Sequence, residues 1–295
     1  MALKKIVGII IAILLLWGGY LAYALYTVGS SFKVSGEWGD VNENTTELWI
    51  HIDLGKPIPA TLTFTSIHVY VAGVPVGEVK NAKLGFMGSK IDGVFVLDNH
   101  RAVEAFKRHV ENGERSEVTV EIEAKALGIP IHQSLNVDVT TDILSYLNIQ
   151  TQSEKEGVLI TPEIKGITSR WGAIGEDYIE IHSNIKLYNP NAYPLPVPKL
   201  SYALSLNDIE IAKGQLKKGF TLPAKGEATA EVLTRLDTNR AIKAWVSHIE
   251  HGEKSTVKAD IVLTVNFLGK EQSIRISAVE KTVETDILGM INQKP

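Results

Sequence analysis

Two classes of feature are missing from this sequence: cysteine and a surplus of positive charge. None of its 295 residues is cysteine, so disulfides and thiolate metal sites are excluded. Lysine and arginine number 30 against 34 aspartate and glutamate, a net charge of −4, and no basic cluster interrupts this balance. The sequence therefore lacks the electrostatic footprint of a nucleic-acid-binding protein, and we expect no nucleic-acid partner.

Familiar catalytic motifs are missing as well. The chain contains no Gly-x-Gly-x-x-Gly, no Walker loop, no Gly-x-Ser-x-Gly elbow and no His-Glu-x-x-His. We also expect no set of nucleophile, base and orienting acid to recur in the repeated parts of the chain. The sequence thus favours a protein without catalytic residues, cofactor or metal, and an extracytoplasmic enzyme with an unfamiliar site is the alternative.

One long stretch, residues 6–26, has no charged residue. Its length of about 20 residues matches the hydrocarbon thickness of a bilayer. Lys4 and Lys5 precede it and the next cation is Lys33, so the positive-inside bias predicts a cytoplasmic N-terminus (1–5), one transmembrane helix (6–26) and all later residues outside the cell membrane. A cleaved signal peptide ending near Ala22-Tyr23-Ala24 is the alternative.

The remainder of the chain repeats itself. Four short segments recur in the same order, and they begin at Trp38 and Trp171, at Asp98 and Asp237, at His109 and His248, and at Thr141 and Thr285. Such self-similarity predicts a tandem duplication with its join near 145–163. We therefore predict a first domain over 32–145 and a second over 160–290.

Within each repeat, apolar residues alternate with polar ones over four to eight positions, which is typical of half-buried strands. Asp98 and Asp237 each precede apolar residues at helical spacing, and Gly113 and Gly252 follow, so each repeat should hold one helix between its fifth and sixth strands. The predicted fold class is all-β with one helix per domain: two tandem antiparallel β-sandwiches of the Ig or fibronectin-like type, after the N-terminal transmembrane helix.

A proline-rich stretch, 187–207, organises the second repeat. Pro190 favours extended geometry at Asn189, and Asn191 can hydrogen-bond the local backbone, so Asn-Pro-Asn predicts a strand end and a tight corner. Prolines then stand at the alternate positions 194, 196 and 198. The three N–H donors that these prolines lack would all lie on one edge of a strand, which suits an edge strand paired on its other side. A polyproline linker is the alternative.

The order of these pieces resembles the group 2 late embryogenesis abundant domain, also called the water stress and hypersensitive response (WHy) domain. The resemblance covers residues 164–288 and rests on Asn-Pro-Asn, Leu195-Pro196-Val197, the strand at 200–207 and Ile211-Ala212-Lys213-Gly214. The first repeat is divergent, with Gly55-Lys56-Pro57-Ile58 at the corner. The resemblance implies a small antiparallel β-sandwich with one helix and no catalytic residues.

From this resemblance and the predicted anchor, we expect a membrane-anchored, non-enzymatic binding or protective module related to water stress by desiccation or heat. Its partner would be membrane lipid or another protein. The candidate binding residues are Tyr188, Asn189, Pro190, Asn191 and Tyr193, and the alternative is that they only form a strand corner.

Three further groups of residues are candidates for a site. His109/Glu111 and His248/Glu250, with His251, could bind a metal weakly, but residues two apart on a helix do not face each other, so a solvated helix end is the alternative. Trp38 and Trp171 could stack on a ligand or plug the core. Tyr202, Phe220 and Trp245 could line an apolar cleft or fill the core.

Overall fold

The structure is a computed structural model, which describes residues 33–148, 150–156, 159–267 and 269–291. The chain is mostly β, as predicted. Some of its longer strands, such as Tyr178–Tyr188, alternate in side-chain burial because one face is turned to a core, whereas Ile129–Thr140 is exposed throughout. The first group of strands is β1 (Lys33–Val41), β2 (Thr45–Ile58), β3 (Leu62–Val71), β4 (Val74–Leu84), β5 (Gly88–Asp98), β6 (Arg115–Ala126) and β7 (Ile129–Thr140).

The second group begins after a 3₁₀ turn at Leu144–Leu147. It contains β8 (Lys155–Glu156), β9 (Leu159–Ile160), β10 (Glu163–Ile174), β11 (Tyr178–Tyr188), β12 (Leu195–Val197), β13 (Lys199–Leu206), β14 (Ile209–Leu216), β15 (Phe220–Leu222), β16 (Glu227–Asp237), β17 (Lys254–Phe267) and β18 (Lys270–Glu284). Three helices are described: α1 (Asn99–Glu111), α2 (Thr238–Glu250) and α3 (Ile287–Ile291).

Two seven-stranded sheets follow one strand order. The first runs β1-β2-β5-β4-β3-β6-β7 and the second β10-β11-β16-β14-β13-β17-β18. The pairings for which a register is defined are antiparallel. Short hairpin connections make this possible, for instance Asn207 and Asp208, both with positive φ, between β13 and β14.

The chain divides into two compact units. Unit 1 holds the described residues up to Ala105, Glu117–Val139 and those from Asp286 onward, and unit 2 holds Phe106–Ser116 and Thr140–Thr285. None of the described helices is long and apolar enough to cross a membrane. The predicted transmembrane helix, 6–26, and the predicted cytoplasmic residues, 1–5, lie outside the described residues.

Both long helices begin where the sequence predicts. The Asp98 carboxylate accepts hydrogen bonds from the backbone N–H groups of His100 and Arg101, and Asp237 accepts one from Arg240, so each aspartate is the N-cap. A glycine with φ of +68°, Gly113 or Gly252, stands two residues after the last residue of each helix. One helix therefore connects β5 to β6 and the other β16 to β17, which confirms their predicted positions.

The core of unit 2 lies between two layers of strands. Its fully buried side chains include Ile164 and Leu187 from the main sheet, and Leu195, Val197 and Leu222 from the small β12–β15 sheet. In unit 1 the buried clusters are smaller, and one consists of Val74, Val76 and Ala105. Unit 2 therefore has the larger continuous core.

The three prolines of the edge-strand prediction are exposed. β12 pairs only with β15 among the described strands, and Pro196 faces Thr221 in this pair. Pro194 and Pro198 flank the strand and are also exposed. The prediction of a strand paired on one side is confirmed.

Candidate functional site

The Asn-Pro-Asn corner is built from buried amides. Asn189 is fully buried, and its Nδ2 donates to the backbone oxygens of Tyr193 at 2.8 Å and Pro223 at 3.1 Å. Its Oδ1 accepts from the backbone N–H of Asn191 at 2.9 Å. Because every polar atom of this side chain bonds within the protein, Asn189 fixes the corner and presents nothing to a ligand.

Asn191 has a similar role. Its Oδ1 accepts from the backbone N–H of Ile160 at 2.9 Å and its Nδ2 donates to the oxygen of the same residue at 2.7 Å. Tyr193 donates to Asn191 Oδ1 at 3.2 Å and packs against Phe267, with the ring centroids 5.2 Å apart. The amides thus join the corner to β9, and Tyr193 joins it to the core.

Tyr188, Pro190 and Tyr193 are the partly exposed members of the predicted binding set, and of these Tyr193 is held by Asn191 and Phe267. Lys165 Nζ lies 5.3 Å from the centroid of the Tyr188 ring, which is a cation–π distance. The corner therefore offers a ligand one aromatic ring and a proline, while Asn189, Asn191 and Tyr193 stabilise the fold. Whether this surface binds anything stays a prediction.

A second polar cluster lies at the end of α1. His109 is buried, and its Nδ1 is 2.7 Å from Ser116 Oγ while its Nε2 is 2.8 Å from Thr141 Oγ1. Thr141 donates its only hydroxyl hydrogen to Glu114 Oε2 at 2.9 Å. It follows that His109 Nε2–H donates to Thr141 and Nδ1 accepts from Ser116, so a chain of donors runs from serine through histidine and threonine to glutamate.

The same chain recurs at the end of α2. His248 Nδ1 is 2.8 Å from Ser255 Oγ, His248 Nε2 is 2.8 Å from Thr285 Oγ1, and Thr285 donates to Glu253 Oε2 at 3.0 Å. Ser116 and Ser255 are only 8% and 3% exposed. We call each set a Ser–His–Thr–Glu chain; both lie at a helix C-terminus, and the serine, histidine and glutamate of each are buried while Thr141 and Thr285 are exposed.

The two glutamates of these chains have an unusual backbone. Glu114 and Glu253 each follow a left-handed glycine and have positive φ themselves, +62° and +60°. A residue with a Cβ costs about 1 kcal/mol or more in this region. The hydrogen bonds that their buried carboxylates accept offset this cost.

The Glu114 carboxylate accepts hydrogen bonds from several donors. Besides Thr141, it accepts from the backbone N–H of Ile143 at 2.6 Å and from the indole Nε1 of Trp171 at 2.8 Å. Burial alone would raise the pKa of Glu114, but these hydrogen bonds outweigh it and hold the pKa below its ordinary value. Burial lowers the pKa of His248, an effect that Glu253 opposes only in part.

These contacts correct two expectations. A serine, a histidine and an acid do recur in the repeated segments, contrary to the expectation that no such set would. The solvated-helix-end alternative is wrong for His109 and His248, because both ring nitrogens of each bond to hydroxyls, whereas His251 is exposed; no group of three side chains suited to a metal is found among the described residues. The signal in the sequence was the recurrence of histidine, Gly-Glu, serine and threonine at matching positions.

The repeated tryptophans and the inward aromatics also have structural partners. Trp171 packs edge-on against Phe106, with centroids 6.2 Å apart. Tyr202 and Phe220 pack against the core of unit 2, and Trp245 lies on α2 beside His248. The three aromatic residues of the second repeat therefore do not line a common cleft, which favours the core-filling alternative.

An open groove of about 700 Å³ lies on the outer face of the unit 2 sheet. Its floor includes Tyr178 and Leu233, and it is lined by four cationic side chains, Lys213, Lys217, Arg235 and Arg240, and three acidic ones, Asp177, Glu210 and Asp237. No periodic pattern in the sequence marks this groove, because its residues come from β11, β14, β16, the first turn of α2 and the residues that flank β11 and β14.

Ion pairs order the walls of this groove. Arg235 lies 4.9 Å above the Tyr178 ring and bonds to Glu180 at 3.1 Å. Arg240 and Lys213 both reach Glu210, at 3.4 and 2.9 Å. A surface with charges of both signs around an aromatic ring can bind a polar or zwitterionic group.

Comparisons with solved structures give low overall similarity. A crystal structure of a protein from Archaeoglobus fulgidus is 22% identical, covers 42% of this chain and 98% of its own, and has a TM-score of 0.37. A solution structure from Arabidopsis thaliana is 17% identical over 40% of this chain and 78% of its own, with a TM-score of 0.31. A protein described as late embryogenesis abundant is 16% identical over 42% and 71%, with a TM-score of 0.26.

No curated protein matches the chain. A family model does match part of it: residues 184–279 fit the family described as late embryogenesis abundant protein. This segment begins in β11 and contains the Asn-Pro-Asn corner, the outer groove strands β14 and β16, and α2. The match supports, for this segment of unit 2, the resemblance to the group 2 late embryogenesis abundant family.

Proposed function

We propose that this chain is a membrane-anchored, non-enzymatic binding and protective module of the water-stress-related kind. In this proposal, residues 6–26 span the cell membrane and tandem WHy-type β-sandwich domains lie outside it, where they bind membrane lipid or a partner protein. Support for the water-stress class comes from the family match over 184–279. Support for the anchor comes from the charge-free run and the lysines before it.

One observation carries the non-enzymatic part of the proposal. The Ser–His–Thr–Glu chains have the donor order that would activate a serine, yet both serines are buried at helix ends. A substrate must approach a nucleophile to within about 3–3.5 Å, and a hydroxyl buried to this extent does not allow that approach. The hydrogen bonds of both chains therefore serve to stabilise the fold.

Binding, in this proposal, uses the outer groove of unit 2. The groove is open, and its exposed cations include Lys213 and Lys217. Phosphate groups of lipid and acidic side chains of a protein are both anionic, and lysine binds either as a point charge. We assign the groove to recognition, with Tyr188 at the corner as a separate candidate surface.

A drying assay tests this assignment on the full chain. The protein is reconstituted into phosphatidylcholine vesicles with phosphatidylglycerol, and leakage of a trapped dye is measured after drying and rehydration. We expect Lys213→Glu with Lys217→Glu to remove most of the protection. Lys199→Glu with Lys218→Glu makes the same change in net charge at exposed positions outside the groove, and it should leave protection unchanged.

The competing function is an extracytoplasmic enzyme. Turnover of an ester, glycoside or phosphate substrate by the full chain, abolished by Ser116→Ala or Ser255→Ala without loss of folding, would overturn the non-enzymatic proposal. Protease treatment of intact cells tests the topology separately: removal of the residues beyond about 30 is expected, and full protection would reverse the assigned orientation.

A further inference from the structure

β7 is a long strand with no buried residue. All twelve of its residues, Ile129–Thr140, are exposed. Five aliphatic side chains stand at odd-numbered positions and therefore share one face; they are between 37% and 67% exposed, and they are Ile129, Ile131, Leu135, Val137 and Val139. An apolar row of this length on a sheet is a feature of interaction surfaces.

β7 is also an edge strand. It ends the strand order of the first sheet, and β6 is its only neighbour among the described strands. Apart from Pro130, which has no N–H and stands near one end of the strand, the residues of β7 have backbone donors and acceptors with which another strand could pair, and such edges are usually protected by charged side chains or proline.

The edge of the second sheet shows that protection. β18 has the same place in its sheet and carries six charged residues in the sequence KEQSIRISAVEKTVE, while its Ile274 and Ile276 are buried. β7, with the sequence IPIHQSLNVDVT, has only His132 and Asp138 as titratable side chains. An edge strand with an apolar row and so few charged side chains favours pairing with another strand.

The two titratable residues indicate which strand is the partner. His132 and Asp138 lie three positions to either side of Leu135. If two copies of β7 pair antiparallel about a two-fold axis at Leu135, His132 of each copy lies opposite Asp138 of the other, and Ile131 lies opposite Val139. Registers centred on His132 or Asp138 would instead place like side chains opposite each other.

We propose that β7 pairs with β7 of a second copy of this chain, antiparallel and centred on Leu135. The arrangement is self-complementary, as a two-fold interface requires. It extends the first sheet across the interface and brings the aliphatic rows of both copies together on one face. This inference does not depend on the proposed function.

Because the chain contains no cysteine, single-cysteine cross-linking on the full chain in detergent micelles tests the register. Leu135→Cys places two thiols opposite each other, so a short bismaleimide should give a covalent dimer. Ile129→Cys is the matched control: it lies on the same face and is more exposed, yet its two copies would be about 40 Å apart along the paired strands. Equal cross-linking of both variants, or none at Leu135→Cys, overturns the proposal.

A charge exchange distinguishes a change in the interface from a folding defect, because a second substitution should restore the dimer. In the Leu135→Cys chain, His132→Asp places two carboxylates opposite each other twice, and we expect the dimer association constant to fall about tenfold. Adding Asp138→Lys restores opposite charges and should restore the dimer. Failure of this rescue contradicts the register.

Lipid is the competing occupant of the aliphatic row. A fluorophore attached to the thiol of the Ile129→Cys chain, which lies on the same face but away from the centre of the paired strands, reports on it when the protein is mixed with phosphatidylglycerol vesicles. We expect dimer formation and no change in emission. A blue shift of the emission without a dimer would overturn the proposal and assign β7 to lipid.

Discussion

The indole Nε1 of Trp171 donates a 2.8 Å hydrogen bond to the Glu114 carboxylate, across 57 residues of chain. Glu114 thereby connects the end of α1, the segment at Thr141 and β10. Replacing Glu114 by glutamine turns one acceptor oxygen into an amide donor that faces other donors. We expect Glu114→Gln to lower the free energy of unfolding by about 2–3 kcal/mol, measured by urea denaturation.

Glu111→Gln is the control for this variant, because Glu111 is exposed at the end of the same helix. It should change the unfolding free energy by no more than about 0.5 kcal/mol. A Glu114→Gln protein as stable as the wild type would show that the hydrogen bonds of the Glu114 carboxylate do not contribute to the free energy of unfolding.

Stability should depend on pH through the buried histidine of α2. Burial lowers the pKa of His248 below its ordinary value of 6.5, so the unfolded chain takes up this proton at a higher pH than the folded one. The stabilisation is therefore fully present above pH 6.5 and is lost as the pH falls through the lower pKa of the folded protein. Urea midpoints between about pH 5 and 8 should show this slope.

His248→Gln should flatten that slope, at a cost in stability at every pH. His251→Gln, at an exposed neighbouring residue, should leave the slope intact. A second loss is expected at lower pH, because the pKa of Glu114 lies below its ordinary 4.5 and its contribution persists above that value and disappears as the folded carboxylate is protonated. A wild-type slope in His248→Gln would assign the effect to other groups.

The sequence predicted the local features of this fold because short-range physics determines them. Alternation located the strands, and Asp98 and Asp237 marked the helix starts. It did not reveal the Ser–His–Thr–Glu chains, since Ser116 and Thr141 meet His109 only after β6 and β7 have formed a hairpin. The burial of Asn189 was missed for a related reason. Its hydrogen-bond partners are backbone oxygens of a corner and a loop, and no periodic pattern of residues indicates that these segments lie together.

The Asn-Pro-Asn corner should be sensitive to a single charge. In Asn189→Asp the new carboxylate would face the backbone oxygens of Tyr193 and Pro223, to which Asn189 Nδ2 now donates. A buried acceptor opposite acceptors is unpaired, so we expect a loss of about 3 kcal/mol or more. Asn184→Asp, at an exposed position of β11, should be nearly neutral. Equal thermal midpoints for the two variants would return Asn189 to the list of candidate ligand contacts.

The packing of Tyr202 over Gly214 gives a steric prediction. The two residues are opposite each other on β13 and β14, and a Cβ added at Gly214 would lie 2.1 Å from Tyr202 Cε1. The ring must then move, which breaks its hydrogen bond to Thr234. We expect Gly214→Ala to cost about 2–3 kcal/mol by overpacking and the lost bond. At Gly85 an added Cβ meets nothing within 4 Å, so Gly85→Ala should be tolerated.

A double-mutant cycle tests the contact itself. Tyr202→Leu removes the clashing ring, so Gly214→Ala should cost less in that background. A cost that stays unchanged would place the strain in the β14 backbone rather than in the contact with Tyr202.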